Sequence, residues 1–229
     1  MKCMIAVLTG DIIQSKRTAP NQWLPILKQE LQRCGDGPET WEIFRGDSFQ
    51  CMLQPKDALF MAILIKAGIK QISVLDIRIG IGIGDVSYKG ERITESNGSA
   101  FVNSGTSFDT LKKSTLDVKT PWPDFDKTLK VMLCLATHIM DSWSPSEALV
   151  VSWRLKNPKH SQKALAQELR KSQSTISEAL KRAGYDEIQL MLDYYRERIG
   201  ELCQSSSPIT GKSIILDDLF CKLTVPFYN

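Results

Sequence analysis

Histidine is scarce. The 229 residues include two, His138 and His160. That leaves too few imidazoles for most Ser-His-Asp, Cys-His or His-rich metal chemistry, so any catalysis must rest on carboxylates, lysines, hydroxyls or backbone groups. Closely spaced cysteines are also lacking. Cys3, Cys34, Cys51, Cys134, Cys203 and Cys221 form no CxxC pair. A disulfide framework or zinc cluster is therefore not expected, and reduced, mostly buried thiols are. No apolar run reaches the ~20 residues of a membrane span. The longest, Ala58 to Ala67, is interrupted by Lys66. The opening MKCMIAVLTGD meets Asp11 too early for a secretory apolar core, and no small-residue cleavage site follows. A cytosolic location is the expectation. Hydrophobic residues make up 42% and charged residues 24%, which suits a packed core and excludes global disorder.

Charge is unevenly placed. Residues 1–120 carry 15 Lys and Arg against 13 Asp and Glu. The stretch Arg154–Ala183 carries eight cations (Arg154, Lys156, Lys159, Lys163, Arg170, Lys171, Lys181 and Arg182) against Glu168 and Glu178. Concentrated positive charge is the footprint expected for a phosphate-backbone partner.

The first 120 residues read as mixed α/β. Met4–Leu8 is a short apolar run closed by Thr9-Gly10-Asp11. Trp23, Leu27, Leu31 and Cys34 recur at helical spacing and stop at Gly35-Asp36-Gly37-Pro38. Trp41–Phe44 and Ser48–Leu53 flank Arg45-Gly46-Asp47 as a hairpin. Asp57–Ile72 reads as a helix apolar on most of its surface. In Asp76–Gly84, Ile77, Ile79, Ile81 and Ile83 alternate with Arg78, Gly80, Gly82 and Gly84, the period of a central strand. The glycine row strips one face, so either a packed helix or a ligand must approach there. Asn97–Lys113 follows as a helix and Leu116–Lys119 as an edge strand. The order predicts an α+β protein with a ferredoxin-like domain over 1–120, its helices on one face of an antiparallel sheet. Pro121-Trp122-Pro123 reads as a joint. An all-α domain is expected over 124–203, with helices at Phe125–Ser142, Ser146–Lys156, Ser161–Arg170, Ser174–Ala183 and Asp186–Leu202. Ser144 or Ser146 is the expected cap of the second. The tail 204–229, apolar at Ile214, Ile215, Leu216, Leu219 and Phe220, is unassigned.

Asp11 and Asp47 are the candidate metal ligands. A first strand lying beside the hairpin brings both carboxylates to one sheet edge, where Mg²⁺ or Mn²⁺ carrying a nucleotide triphosphate is the expected occupant. Backbone N–H groups after Asp11, with Ser15 and Lys16 or Arg17, are the expected phosphate holders. The alternative is a cap at Asp11 and an ordinary turn residue at Asp47. The motifs VLTGDII, RGDSF, RIGIGIG and Val102-Asn103, in that order, resemble the class III nucleotidyl cyclase homology domain over about the first 115 residues. The resemblance implies that Asp11 and Asp47 hold metal and that Asn103 faces the nucleotide sugar. Where that family has a charge-stabilising arginine, this chain has Ser107, which weighs against cyclisation, since loss of a transition-state cation costs orders of magnitude in rate. Over its whole length, through TGDIIQSK, FRGDSF and SQKALAQELRKSQSTISEALKRAG, the chain is similar to the SatD family of bacterial proteins.

Gln162–Arg170, Lys171–Gln173 and Ser174–Ala183 have helix-turn-helix form. Leu165, Ala166 and Leu169 face Ile176, Ala179 and Leu180. Base contact is expected from Gln173, Ser174, Thr175 and Ser177, and phosphate contact from Lys163, Lys171, Lys181 and Arg182. The bland alternative is a helical hairpin with a solvated basic face. The expected function is DNA-binding transcriptional regulation of duplex DNA by a homodimer, with the cyclase-like half sensing a nucleotide or metal, or dimerising. The second reading is a metal-dependent nucleotidyl cyclase or nucleotidyltransferase-like enzyme with a helical targeting domain.

Overall fold

The computed structural model describes residues 4–112 and 114–205. It is a mixed α+β protein built on one five-stranded sheet. The elements in order are β1 (Ile5–Ile13), α1 (Pro20–Leu31), β2 (Trp41–Phe44), β3 (Ser48–Leu53), α2 (Ala58–Ile69), β4 (Asp76–Gly84), α3 (Ser99–Asp109), β5 (Leu116–Lys119), α4 (Pro123–Asp141), α5 (Pro145–Lys156), α6 (Gln162–Glu168), α7 (Gln173–Arg182) and α8 (Tyr185–Ser205). The sheet runs β2-β3-β1-β4-β5. Strand β1 is antiparallel to both β3 and β4, and β4 is parallel to β5.

The first strand is longer than its apolar run predicts. Thr9-Gly10-Asp11 does not end β1, because both neighbours continue to pair with it as far as Asp11↔Ser48 and Asp11↔Arg78. Gly10 is required by packing rather than by a turn. A Cβ there would lie 2.5 Å from the Phe49 ring and 2.7 Å from the Arg78 carbonyl.

The glycine row of β4 receives a helix. A Cβ on Gly80 would lie 2.3 Å from the Phe108 amide, one on Gly82 2.1 Å from the Ser104 amide, and one on Gly84 2.5 Å from the Ala100 amide. All three are backbone atoms of α3. The isoleucine row faces the other way, into the core that contains α1 and α2. The expectation of helices on one face of an antiparallel sheet is thus corrected. Helix α3, the crossover between the parallel strands β4 and β5, lies on the opposite face, where the glycine row leaves room for its backbone.

Every residue of α2 is buried. The helix lies between the sheet and the later helices, and one apolar cluster runs from Leu8 and Ile81 through α2 to Leu133, Val151 and Tyr195. Polar ties cross the same boundary. Lys66 Nζ lies 2.6 Å from Asp76 and 2.7 Å from Asp141, and Lys70 donates to the Asp141 carbonyl at 2.7 Å. Tyr195 Oη donates to the Pro55 carbonyl at 2.8 Å, and Lys156 of α5 pairs with buried Glu30 of α1. Burial raises the Tyr195 pKa well above the ordinary phenol value. Among the described residues no helix is long and apolar enough to cross a membrane. The apolar tail residues named above lie outside the described residues.

Candidate functional site

The first site is at the end of β1. Asp11, in the strand, is opposite Ser48, so Asp47 in the hairpin turn is its diagonal neighbour. The Ile12 amide donates to the Asp47 carbonyl at 3.2 Å and fixes the turn against the strand. Asp11, Asp47, Gln14, Ser15, Lys16, Arg17 and Arg78 line one cleft of about 560 Å³. The two carboxylates that the sequence pairs are therefore brought together, with Ser15 and Lys16 beside them.

Both carboxylates already have partners. Arg78 Nε donates to Asp11 Oδ1 at 3.0 Å and Nη2 to Oδ2 at 2.5 Å, a two-point pair with the fork geometry of guanidinium on carboxylate. The Arg78 guanidinium also sits 5.4 Å over the Phe108 ring centre. Asp11 raises the Arg78 pKa further above its ordinary value through that hydrogen bond. The Ser15 hydroxyl donates to Asp47. Magnesium and calcium bind free carboxylate oxygens, and here both Asp11 oxygens face a cation. In this arrangement Asp11 offers a divalent ion no free oxygen. Among the described residues no group of three or more His, Cys, Asp or Glu is placed to hold a metal.

Asn103 is not part of the cleft. Its Nδ2 donates to the Ile83 carbonyl at 2.8 Å. Ile83 is five strand positions beyond Arg78, about 17 Å along β4. Ser107 is buried, and among the described residues its hydroxyl has no hydrogen-bond partner. The residue that sequence reasoning passed over is Arg78. Its signal was present: an arginine on an otherwise glycine-lined face, two positions before the first glycine of the row.

The second site is the surface of α7. Ser144 caps α5 through a capping box with Glu147, Ser161 caps α6, and Ser172 caps α7 by accepting from the Thr175 amide at 3.1 Å. Helix α5 packs against both α6 and α7, so three short helices form one unit. Ile176, Ala179 and Leu180 are buried in it, while Gln173, Ser174, Thr175, Ser177, Lys181 and Arg182 are all exposed. Lys163 of α6 is exposed as well. Lys171 is half-buried and donates to Ser146 Oγ at 2.7 Å.

The turn differs in detail from the sequence reading. It starts before Lys171: the residue in the left-handed region, where glycine is usual, is Arg170 at φ 51°. The Lys171 amide then closes onto the Ala166 carbonyl at 2.9 Å, as at other helix ends that reverse through this conformation. Arg170 is exposed beside the start of α7.

Not every cation of the basic stretch is free. Arg154 Nη1 donates to the carbonyls of Asn157, Pro158 and His160 at 3.1, 2.7 and 2.8 Å, and Lys156 is committed to Glu30. Arg182 Nε lies 2.9 Å from Glu147. Burial raises the Glu147 pKa, but the Ser144 amide and hydroxyl and the Arg182 guanidinium outweigh it, so the net shift is downward.

The family model described as the SatD family matches residues 4–198. The chain belongs to the SatD family. The match spans β1 through most of α8, so the cleft and the α7 surface both lie inside the region this SatD family chain shares with the model. No curated protein matches the chain.

Proposed function

We propose that this SatD family protein is a DNA-binding regulator that reads a duplex with α7. The observation that carries the proposal is the outward face of that helix. Its six polar or cationic candidates are all exposed, and its apolar residues are all turned inward. Gln173, Ser174, Thr175 and Ser177, on the first two turns, suit base edges. Lys163, Lys181 and Arg170 suit phosphates, flanked by Lys171 and Arg182, which each also make one tie inside the fold. Two copies of the chain would address two half-sites.

The strand order β2-β3-β1-β4, with β1 antiparallel to both neighbours, supports a ferredoxin-like, cyclase-like reading of residues 1–120. Helices α4–α8 support the all-α helix-turn-helix reading of 124–203. In this proposal the cleft at the end of β1 is the sensing site, and a nucleotide is its ligand class, held through Lys16, Arg17 and Ser15. The enzyme reading is not preferred. Asn103 is bound to the strand away from the cleft, and Ser107 is a buried hydroxyl where the family arginine would act.

The test is binding to genomic fragments followed by fluorescence anisotropy across a salt series. Affinity should fall steeply with salt. Lys163→Ala and Lys181→Ala should each weaken binding to all fragments and flatten the salt slope, by about one unit for each phosphate no longer neutralised. Gln173→Ala should instead compress the difference between the best and the average fragment. Arg170→Gly removes a cation while relieving the left-handed backbone, so it should weaken binding yet raise the melting temperature. Absence of salt-dependent binding at low ionic strength would refute the proposal.

A further inference from the structure

The cleft that holds Asp11 and Asp47 continues past them. A second cleft of about 510 Å³ adjoins it. The two share Ser15, Lys16, Arg17 and Asp47, and the second adds Trp23 and Arg45. Together they are lined by four cations, Lys16, Arg17, Arg45 and Arg78, against the carboxylates of Asp11 and Asp47. Arg78 is held on Asp11, and Asp47 accepts from Ser15. Lys16, Arg17 and Arg45 are exposed and have no partner among the described residues. Three cations lining one cleft repel one another, and a bound anion removes that cost.

Two further features point to an oxygen-rich anion. Arg45 stands in the hairpin turn at φ 51°, and Gly46 follows at φ 91°. Successive left-handed residues in such a turn select Asn-Gly or Gly-Gly, so the turn itself does not explain an arginine at the first position. Gln14, which leads into Ser15–Arg17, is also left-handed, at φ 63°. Strained positions of this kind gather at ligand sites. Trp23, in the wall of the second cleft, is 2% exposed, and its Nε1 is buried with no acceptor among the described residues. A donor without an acceptor in the wall of a cationic cleft is matched by an anion rich in oxygen.

A phosphate chain beside two carboxylates ordinarily needs a divalent ion between them. Here both Asp11 oxygens are taken by Arg78, so the cation at that place is a guanidinium of the protein itself. We infer that the joined clefts bind the phosphate chain of a nucleotide without a divalent ion. Lys16 and Arg17 hold the phosphates from one side and Arg45 from the other, and Arg78 takes the place of the metal at Asp11. The inference rests on the reading of this cleft as a ligand site.

Isothermal titration calorimetry on the full chain, with ATP and with inorganic tripolyphosphate, tests it. Both should bind in EDTA, and excess Mg²⁺ should weaken binding, because it neutralises the charge that the cations address. Arg45→Ala and Lys16→Ala should each weaken binding about tenfold with no fall in melting temperature, since both side chains are exposed. Arg45→Gly should weaken it equally while raising the melting temperature, by relieving the left-handed backbone. Arg78→Met, which frees Asp11, should reverse the sign of the Mg²⁺ effect. Wild-type binding that requires Mg²⁺ or Mn²⁺ would overturn the inference, as would wild-type affinity in Arg45→Ala. ATP binding in EDTA without tripolyphosphate binding would put recognition on the base or sugar and overturn it too. DNA anisotropy with and without ATP separates this site from the sensing role. ATP that binds in EDTA but leaves DNA affinity unchanged removes the sensing role and leaves the site standing. If neither anion binds, the site falls and the reading of α7 is untouched.

Discussion

Placing one methyl group on Gly82 should cost about as much as a large-to-small core substitution, although it adds apolar surface. An ideal Cβ there lies 2.1 Å from the Ser104 amide, 2.2 Å from the Ala100 carbonyl oxygen and 2.7 Å from Ser104 Cα. Each of these is a backbone atom inside α3. No rotamer change relieves the clash, so the helix must move off the strand by about an ångström. Two ties oppose that movement: Ser104 Oγ donates to Thr9 Oγ1 at 2.8 Å, and Asn103 Nδ2 to the Ile83 carbonyl. Overpacking a core costs about 1–3 kcal/mol when side chains can yield. With backbone on the other side, Gly82→Ala is expected at the upper end, about 3 kcal/mol. In a protein of this size that lowers the melting temperature by about 6–12 °C.

Gly105 supplies the control on the same helix. Nothing lies within 4 Å of a Cβ built there. Gly105→Ala should therefore gain the helix propensity difference of about 0.8–1 kcal/mol and raise the melting temperature by about 2–4 °C. Urea unfolding of the two variants and the wild type, with thermal melts in parallel, measures both signs at once. A Gly82→Ala protein that melts within 2 °C of wild type would show that the strand and α3 are not in direct backbone contact. The glycine row would then need another explanation, such as a ligand lying on the strand.

Lys66 is 2% exposed and lies between Asp76 and Asp141, so Lys66→Met should leave Asp76 with Lys70 alone as its cation and Asp141 with the Thr115 hydroxyl, and should cost about 2 kcal/mol in urea unfolding; a loss below about 1 kcal/mol would contradict the buried pairing. Glu147→Gln keeps an acceptor for the Ser144 amide but removes the charge that faces Arg182 and the start of α5, and should cost about 0.5–1 kcal/mol at neutral pH. Because the Glu147 carboxyl titrates below its ordinary range in the folded chain, its ionised form contributes stability above the unfolded-state value, and that contribution is lost as pH falls through the lowered folded-state value. The wild-type advantage over Glu147→Gln should therefore shrink between about pH 5 and pH 3, measured by urea unfolding, and a constant difference would exclude the mechanism.

Local pattern determined most element positions. Ile77, Ile79, Ile81 and Ile83 alternate so regularly that β4 is found at Asp76–Gly84 as read, and the hairpin strands and β5 also match. What the pattern could not carry was anything set by a distant neighbour. Thr9-Gly10-Asp11 reads as a strand end because glycine and aspartate are turn formers. Pairing on both sides overrides that preference, and the Phe49 ring requires the glycine. The face occupied by α3 was likewise hidden, since periodicity shows that a face is bare and not what covers it. The cleft was half legible. Asp11 and Asp47 converge as their positions suggest, but the guanidinium across from Asp11 depends on the β1/β4 register, which no single strand encodes.

The same distinction governs the charge argument for the helix-turn-helix. Counting residues gives eight cations between Arg154 and Ala183, yet a count cannot separate a charge that addresses a partner from one that holds the fold. Arg154 closes the loop after α5, Lys156 neutralises a carboxylate buried in α1, and Arg182 ties α7 to the α5 cap. Lys159, Lys163, Arg170 and Lys181 remain exposed, and apart from Lys159 they belong to the two helices and the turn that would straddle a phosphate backbone. The reading of α7 as a recognition helix therefore rests less on the size of the charge excess than on its location. Charge left over after the internal pairs are assigned is concentrated around one short helix, whose first two turns carry hydroxyls and an amide rather than further lysines. Phosphate attraction alone would favour cations throughout that surface. Uncharged hydrogen-bonding groups at the tip, with cations behind them, suit discrimination between base edges.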